Sequence, residues 1–231
     1  MKKIIVVGAG VSGLAAAVRL QKLGYDVTLY EKEGQPGGKM NQIKENGFTF
    51  DVGPTIVMMP EIYREVFEFA GVDPNDYIPM EKVDPMLQLY FAQDEPLTFS
   101  NDLVELTKTL EAISEEDAQG YFAFLADIYK RYVIAKESFI TKSFRTWRDF
   151  YNPKSLWAGL KLRTFSDAYS SISKFVKDDR LRKSLAFQTL YIGVSPYQGP
   201  SLYTIIPMIE LMYGVLSLIH ISEPTRPLYI S

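Results

Sequence analysis

Residues 4–18 read IIVVGAGVSGLAAAV, and the spacing of the glycines in this stretch decides the fold. Ile4, Ile5, Val6 and Val7 form a run of mostly β-branched residues, the composition of a parallel strand buried on both faces. The run stops at Gly8. Gly8, Gly10 and Gly13 then follow in G-x-G-x-x-G order and open a helix, whose Leu14, Val18 and Leu20 face a sheet until Gly24 ends it. DVTLYE, residues 26–31, reads as a second strand finishing on Glu31. Strand, helix and strand make a β-α-β unit, and a lone glycine motif without that context would mark nothing.

Each residue type in the unit has a physical job. Gly8 permits the tight turn out of the strand, Gly10 lacks the Cβ that would block a pyrophosphate, and Gly13 lets helix and strand approach closely. A pyrophosphate then sits on the helix N-terminus, where free N–H groups and the helix dipole favour an anion. Glu31, 18 residues beyond Gly13, stands at the end of the second strand, placed to accept hydrogen bonds from ribose hydroxyls. An acid there repels a 2′-phosphate, which disfavours NADP, but the motif does not choose between NAD and FAD.

Composition narrows the classes further. At 231 residues and 47% hydrophobic content the chain can bury a sizeable core. A net charge of −3, with cations spread among acids, leaves no basic stripe for nucleic acid. With no cysteine, thiolate metal sites, disulfides and thiol nucleophiles are excluded within it, and no metal site is expected. Lys2-Lys3 and the apolar run after them imitate a signal peptide, but the three spaced glycines explain the segment better.

A second glycine cluster, GQPGGKM at residues 34–40, brings Gly37 and Gly38 with Lys39 beside them, and GFTFDVGPT follows at 47–55. These offer bare backbone and a cation close to the same phosphates, features that a plain nicotinamide dehydrogenase does not need. Together VVGAGVSGLAAAVRL, EKEGQPGGKMNQ and GFTFDVGPTIVMMP resemble the N-terminus of the bacterial phytoene desaturase family of FAD-dependent carotenoid desaturases, most of all its thirty-carbon (diapophytoene, or dehydrosqualene) branch. The stretch LAFQTLYIGVSPYQGPSLYTIIPMIELMYGV, 185–215, resembles the same family.

The resemblance implies that Gly8, Gly10, Gly13 and Glu31 hold the ADP half of FAD and that Gly37, Gly38 and Lys39 line the pyrophosphate and approach the flavin. Lys39 stands where members often carry arginine, which keeps the charge without a bidentate contact. Asp51, Gly53, Pro54 and Thr55 match the family's D-x-G-P-[ST] turn near the cofactor; taken from the residues alone, Asp51 reads as a strand-end cap and Pro54 as a simple turn. The chemistry implied is hydride transfer from an allylic CH₂ of a long apolar polyene to the flavin, with a proton lost from the neighbouring carbon. No catalytic base is nominated: Glu137 and Glu210 interrupt apolar segments, and a solvated face explains each more simply. The amine-oxidase-like flavoenzymes and the carotenoid end-group oxidases share the glycine pattern and stay open as alternatives, as does a non-catalytic nucleotide-binding fragment.

The fold class expected is α/β: an incomplete Rossmann-like FAD-binding domain over residues 1–55, followed by a mostly helical α+β substrate domain over 56–215. PEIYREVFEFAG, 60–71, reads as a helix, and MLQLYF and LTF around AQDEP as a hairpin. Residues 114–140 read as a long helix started by Ser114 and Asp117, along which Phe122, Leu125, Tyr129 and Tyr132 fall at helical spacing. Further helices are expected over 166–177, 179–191 and 200–213. The clusters TWRDFYNPKSLWAGLKL, 146–162, and QTLYIGVSPYQGP, 188–200, mix aromatics with prolines, the first adding basic residues. They suit peripheral membrane contact, so the expected location is the cytoplasm, at the inner face of the cell membrane.

The segment 216–231 is set apart. LSLIHISEPTR, 216–226, back-translates codon by codon to a transposase adapter used in preparing DNA sequencing libraries, and the family resemblance stops where it starts. Residues 216–231 are therefore expected to be an adapter-derived artefact, His220 to be neither base nor anchor, and the chain to be an inactive N-terminal fragment of its parent enzyme.

Overall fold

The computed structural model describes residues 1–54, 56–92, 94–162 and 166–218. Thr55 and His220 lie outside the described residues. The described chain divides into two compact units, Met1–Val83 joined by the residues from Val215 onward, and Asp84–Gly214.

The first unit opens as its glycine spacing requires. Strand β1 (Lys3–Val7) leads through the glycine turn into helix α1 (Val11–Lys22) and on to β2 (Asp26–Tyr30), which pairs parallel to β1 from Lys3↔Asp26 to Val7↔Tyr30. The parallel pair with its crossover helix is the Rossmann-like α/β arrangement. One expectation needs correcting. β1 is not buried on both faces: Ile4 and Val6 are half-buried, while Ile5 and Val7 are exposed, because among the described residues the sheet has two strands and one helical layer.

Beyond β2, β3 (Asn41–Glu45) and β4 (Phe48–Val52) form an antiparallel hairpin. Its turn is Asn46-Gly47, both with positive φ (51° and 83°), the backbone that a two-residue hairpin with right-handed twist demands. After β5 (Ile56–Val57), helix α2 (Pro60–Ala70) starts with proline at its first turn and ends on Gly71 in the left-handed region. α2 docks on α1 through the Arg19–Glu65 ion pair at 3.0 Å and the Lys22 Nζ donation to the Ala70 carbonyl at 2.8 Å. β5, α2 and β6 (Met80–Lys82) belong to this first unit.

The second unit is mostly helical, with one hairpin of β7 (Leu87–Phe91) and β8 (Asp94–Phe99). Helix α3 (Leu103–Glu111) is capped by Asp102, whose side chain accepts from the N–H groups of Val104 and Glu105. The long helix α4 (Glu115–Ala135) starts at Ser114, which accepts from the Asp117 N–H, and passes into a π-helical turn over Lys136–Ile140. Short helices α5 (Trp147–Phe150), α6 (Pro153–Lys161) and α7 (Ala168–Ile172) follow. α8 (Asp179–Phe187) runs on into a 3₁₀ turn, Gln188–Ile192, and a second 3₁₀ turn, Ser201–Thr204, precedes α9 (Ile205–Tyr213).

Leu110, Tyr121, Phe124, Ile128, Ile172, Leu181, Leu185 and Met208 are buried together as the core, each aliphatic or Phe side chain stabilising the fold by about 1.5–3 kcal/mol. The buried face of α4 carries Tyr121, Phe124, Ile128 and Tyr132, so of the expected stripe Tyr132 is buried and Leu125 half-buried, while Phe122 and Tyr129 are exposed. Aromatics populate both faces of this helix, and spacing alone does not choose the phase. The chain returns to the first unit at Leu216–Leu218, strand β9, which lies between β5 and β6 and pairs antiparallel with both. That pairing uses main-chain N–H and C=O groups that every sequence carries. It bears no information on the origin of residues 216–218.

Candidate functional site

The turn between β1 and α1 is drawn together by three of the expected glycines. Gly8 takes φ 97° as its N–H donates to the Tyr30 carbonyl at 2.7 Å, which ties the exit of β1 to the end of β2. A Cβ on Gly13 would stand 1.9 Å from the Gly8 carbonyl oxygen, so the helix reaches the strand only because that atom is missing. A Cβ on Gly10 would meet nothing within 4 Å: the space over Gly10 is open. Gly10 is also the N-cap of α1, with no side-chain cap and no acid in the first turn, which leaves the first N–H groups of α1 free to face an anion.

The second glycine cluster folds onto the first. Gly37 donates its N–H to the Ala9 carbonyl at 2.9 Å and bridges Gly10 in parallel fashion, and a Cβ on Gly38 would lie 3.1 Å from the Gly10 Cα. Lys39 is exposed beside them, and its carbonyl stands 2.0 Å from where a Cβ on Gly53 would be. Glu31 also contributes as a brace. One carboxylate oxygen accepts from the Ala9 N–H at 2.6 Å, and the other from the N–H groups of Lys32 and Glu33. The N–H groups of Glu33 and Ala9 hold this carboxyl below the usual carboxylate range. A carboxylate offers about four acceptor positions, so with three in use one is left for a ribose hydroxyl.

Asp51 sits within β4 rather than in a turn, and accepts from the Gln42 amide across the hairpin at 2.8 Å. With Gly53 and Pro54 it lines an open cleft of about 420 Å³ that Gln35, Asn41 and Gln42 also line. Gln35 donates to Asn41 Oδ1 at 2.6 Å and to the Gln42 carbonyl at 3.2 Å. These three amides were not singled out from the sequence; the signal available was the Asn46-Gly47 hairpin turn, which sets Gln42 opposite Asp51. Among the described residues no group of His, Cys, Asp or Glu is arranged to hold a metal ion.

A different surface marks the second unit. Phe139, Phe144 and Phe150 pack on one another with ring centroids 5.6–6.2 Å apart, and Phe139, Phe150, Tyr151, Leu156, Leu160 and Leu202 line an apolar groove of about 430 Å³. Around it Trp147, Trp157 and Tyr151 stand 60–70% exposed. Arg148 lies over the Trp147 ring at 5.4 Å and Lys161 over the Trp157 ring at 3.4 Å. No helix of the described residues is long and apolar enough to cross a membrane. The two acids that interrupt apolar segments part company: Glu137 is exposed, whereas Glu210 is buried, which corrects the solvated reading for Glu210.

A match to the family described as an NAD(P)-binding Rossmann-like domain covers residues 6–71. A 4,4'-diapophytoene desaturase (4,4'-diaponeurosporene-forming) of Staphylococcus haemolyticus is 50% identical over 212 residues, 92% of this chain and 42% of that protein. Among solved structures, an oxidoreductase from Methanosarcina mazei superposes with a TM-score of 0.56 at 17% identity, over 94% of this chain and 45% of that one. A putrescine oxidase double mutant superposes with a TM-score of 0.55 at 14% identity, over 95% and 46%. At such identities the superpositions show the fold alone, and they agree with the Rossmann-like α/β reading. Over 92% of its residues the chain is similar to 4,4'-diapophytoene desaturases, and it spans 42% of the length of the Staphylococcus haemolyticus protein.

Proposed function

We propose that this chain is the cofactor-holding N-terminal part of an FAD-dependent carotenoid desaturase acting on a diapophytoene- or phytoene-type polyene. The observation that carries the reading is the open space over Gly10, walled by Gly37 and Gly38 and faced by the uncapped N-terminus of α1. A diphosphate fits that cradle, where bare backbone and free N–H groups replace its hydration. Gly8, Gly10 and Gly13 hold the ADP half with Glu31 on the ribose; Lys39 adds a cation at the second cluster; Asp51, Gly53, Pro54 and Thr55 belong to the segment that borders the cofactor. When bound, FAD supplies the hydride acceptor that no side chain can be.

The substrate dissolves only in lipid. The exposed Trp147, Tyr151 and Trp157, flanked by Arg148 and Lys161, suit the inner face of the cell membrane, aromatic rings at the headgroup level and cations toward anionic lipid. The domain division near residue 55 and the adapter origin of residues 216–231 stay part of this reading.

The test is direct. The purified chain, titrated with FAD, NAD and NADP, is expected to bind FAD with quenching of flavin fluorescence and NADP least well; binding of NAD with none of FAD overturns the cofactor assignment. The intact protein, supplied with FAD and 4,4'-diapophytoene in vesicles, is expected to give a product with a longer conjugated system. Oxidation of a polyene end group without new double bonds overturns the desaturase assignment.

A further inference from the structure

α9 turns Glu210 inward, and its side chain is 4% exposed. The 3₁₀ turn Gln188–Ile192 packs against α9 there, and the Gln188 and Tyr191 side chains favour the ionised form of the carboxyl. Two oxygens in this cluster, Glu210 Oε1 and Gln188 Oε1, are buried with no partner. Both are acceptors while the carboxyl is ionised, so neither satisfies the other, and each unpartnered buried acceptor is a cost to the fold. The cluster is short of a donor.

Among the described residues no cation supplies one. α4 packs against α9, but its buried Arg131 is committed to Asp127, Ser171 and Ser201, and its Tyr132 packs against the Tyr213 ring. In the second 3₁₀ turn, Thr204 donates its hydroxyl to the Ser201 carbonyl. Among the described residues, the titratable group acting on Glu210 is Tyr191, whose phenol is pushed up to about 12 by burial and by the carboxyl itself. A proton is the donor that completes the set: it turns one carboxylate oxygen into an O–H. Removal from water pushes the Glu210 carboxyl up to about 7. Tyr191 is half-exposed and links the cluster to solvent.

We propose that Glu210 is a proton-operated latch: protonated, it closes α9 onto the Gln188–Ile192 turn, and ionised, it admits water and releases that contact. The latch stands four residues before Gly214, where the chain leaves the second unit. The sign follows from burial. The closed state binds the proton more tightly than the open one, so closure is fully favoured below the ordinary carboxyl range and is lost as pH rises toward 7.

The experiment uses the full chain. Difference infrared spectroscopy is expected to show a protonated-carboxyl band that is present at about pH 5, gone by about pH 8 and missing from Glu210→Gln. Amide hydrogen exchange, corrected for the intrinsic rate, is expected to show opening of residues 188–192 and 211–213 on the order of 50-fold greater at the higher pH. In Glu210→Gln that dependence is expected to vanish. Tyr191→Phe removes a hydroxyl that favours the ionised form and is expected to move the midpoint up; it needs no change in the core. A carboxyl already ionised at pH 5, equal pH dependence with and without Glu210, or a midpoint that falls in Tyr191→Phe each overturns the latch.

Discussion

Gly10→Ala and Gly13→Ala separate what the glycine turn does for folding from what it does for the cofactor. At Gly13 the added Cβ would stand 1.9 Å from the Gly8 carbonyl oxygen, more than 1 Å inside ordinary contact. The strand and helix must part, at about 3 kcal/mol for overpacking of this kind. Against that, alanine gains roughly 1 kcal/mol of helix propensity. The clash wins, and a net loss of about 2 kcal/mol is expected. At Gly10 the Cβ meets nothing within 4 Å and the backbone, φ −73°, suits any residue. Losing glycine as the N-cap costs about 0.5–1 kcal/mol, and the stiffer unfolded chain returns about as much. Stability is expected to stay within about 0.5 kcal/mol.

Binding behaves the other way round, because the Gly10 Cβ fills the space the diphosphate needs: FAD affinity is expected to fall at least about tenfold, or 1.4 kcal/mol. Urea unfolding should be followed by far-ultraviolet circular dichroism or by exchange at the α1 amides, since both tryptophans, Trp147 and Trp157, belong to the second unit. Flavin titration then gives the affinity. Equal destabilisation by the two substitutions, or unchanged FAD affinity in Gly10→Ala, refutes the reasoning.

Replacing Trp147 and Trp157 together by alanine is expected to lower partition onto anionic vesicles at least about tenfold while leaving the unfolding midpoint in place, since both rings are largely exposed; vesicle co-sedimentation at two salt concentrations reads it, and unchanged partition removes the patch from the membrane reading. Arg131→Met keeps the side-chain stem but strips Asp127, Ser171 and Ser201 of their shared donor, and a loss of about 3 kcal/mol is expected in urea unfolding followed by tryptophan fluorescence.

Much of the first unit was legible because its signals are local. A strand ending at a glycine, a helix ending at Gly24 and an acid at the end of the next strand are settled by neighbours within a few residues, and so are the Ser114 cap and the Gly71 stop. The Asn46-Gly47 hairpin is equally local, and its register sets Asp51, which the residues alone read as a strand-end cap, opposite Gln42 within β4. The phase of α4 was not legible, since aromatics on both faces give spacing nothing to discriminate.

The sequence by itself determined the β-α-β unit, the glycine spacing of its turn and the family resemblance, all of which follow from residue type and short-range spacing. Only the tertiary structure decided that Gly37 and Gly38 lie against Gly10, that Glu31 braces the loop, and that Glu210 is buried while Glu137 is not. Burial and close approach depend on which distant elements pack on a residue, and that information resides in no single stretch of chain.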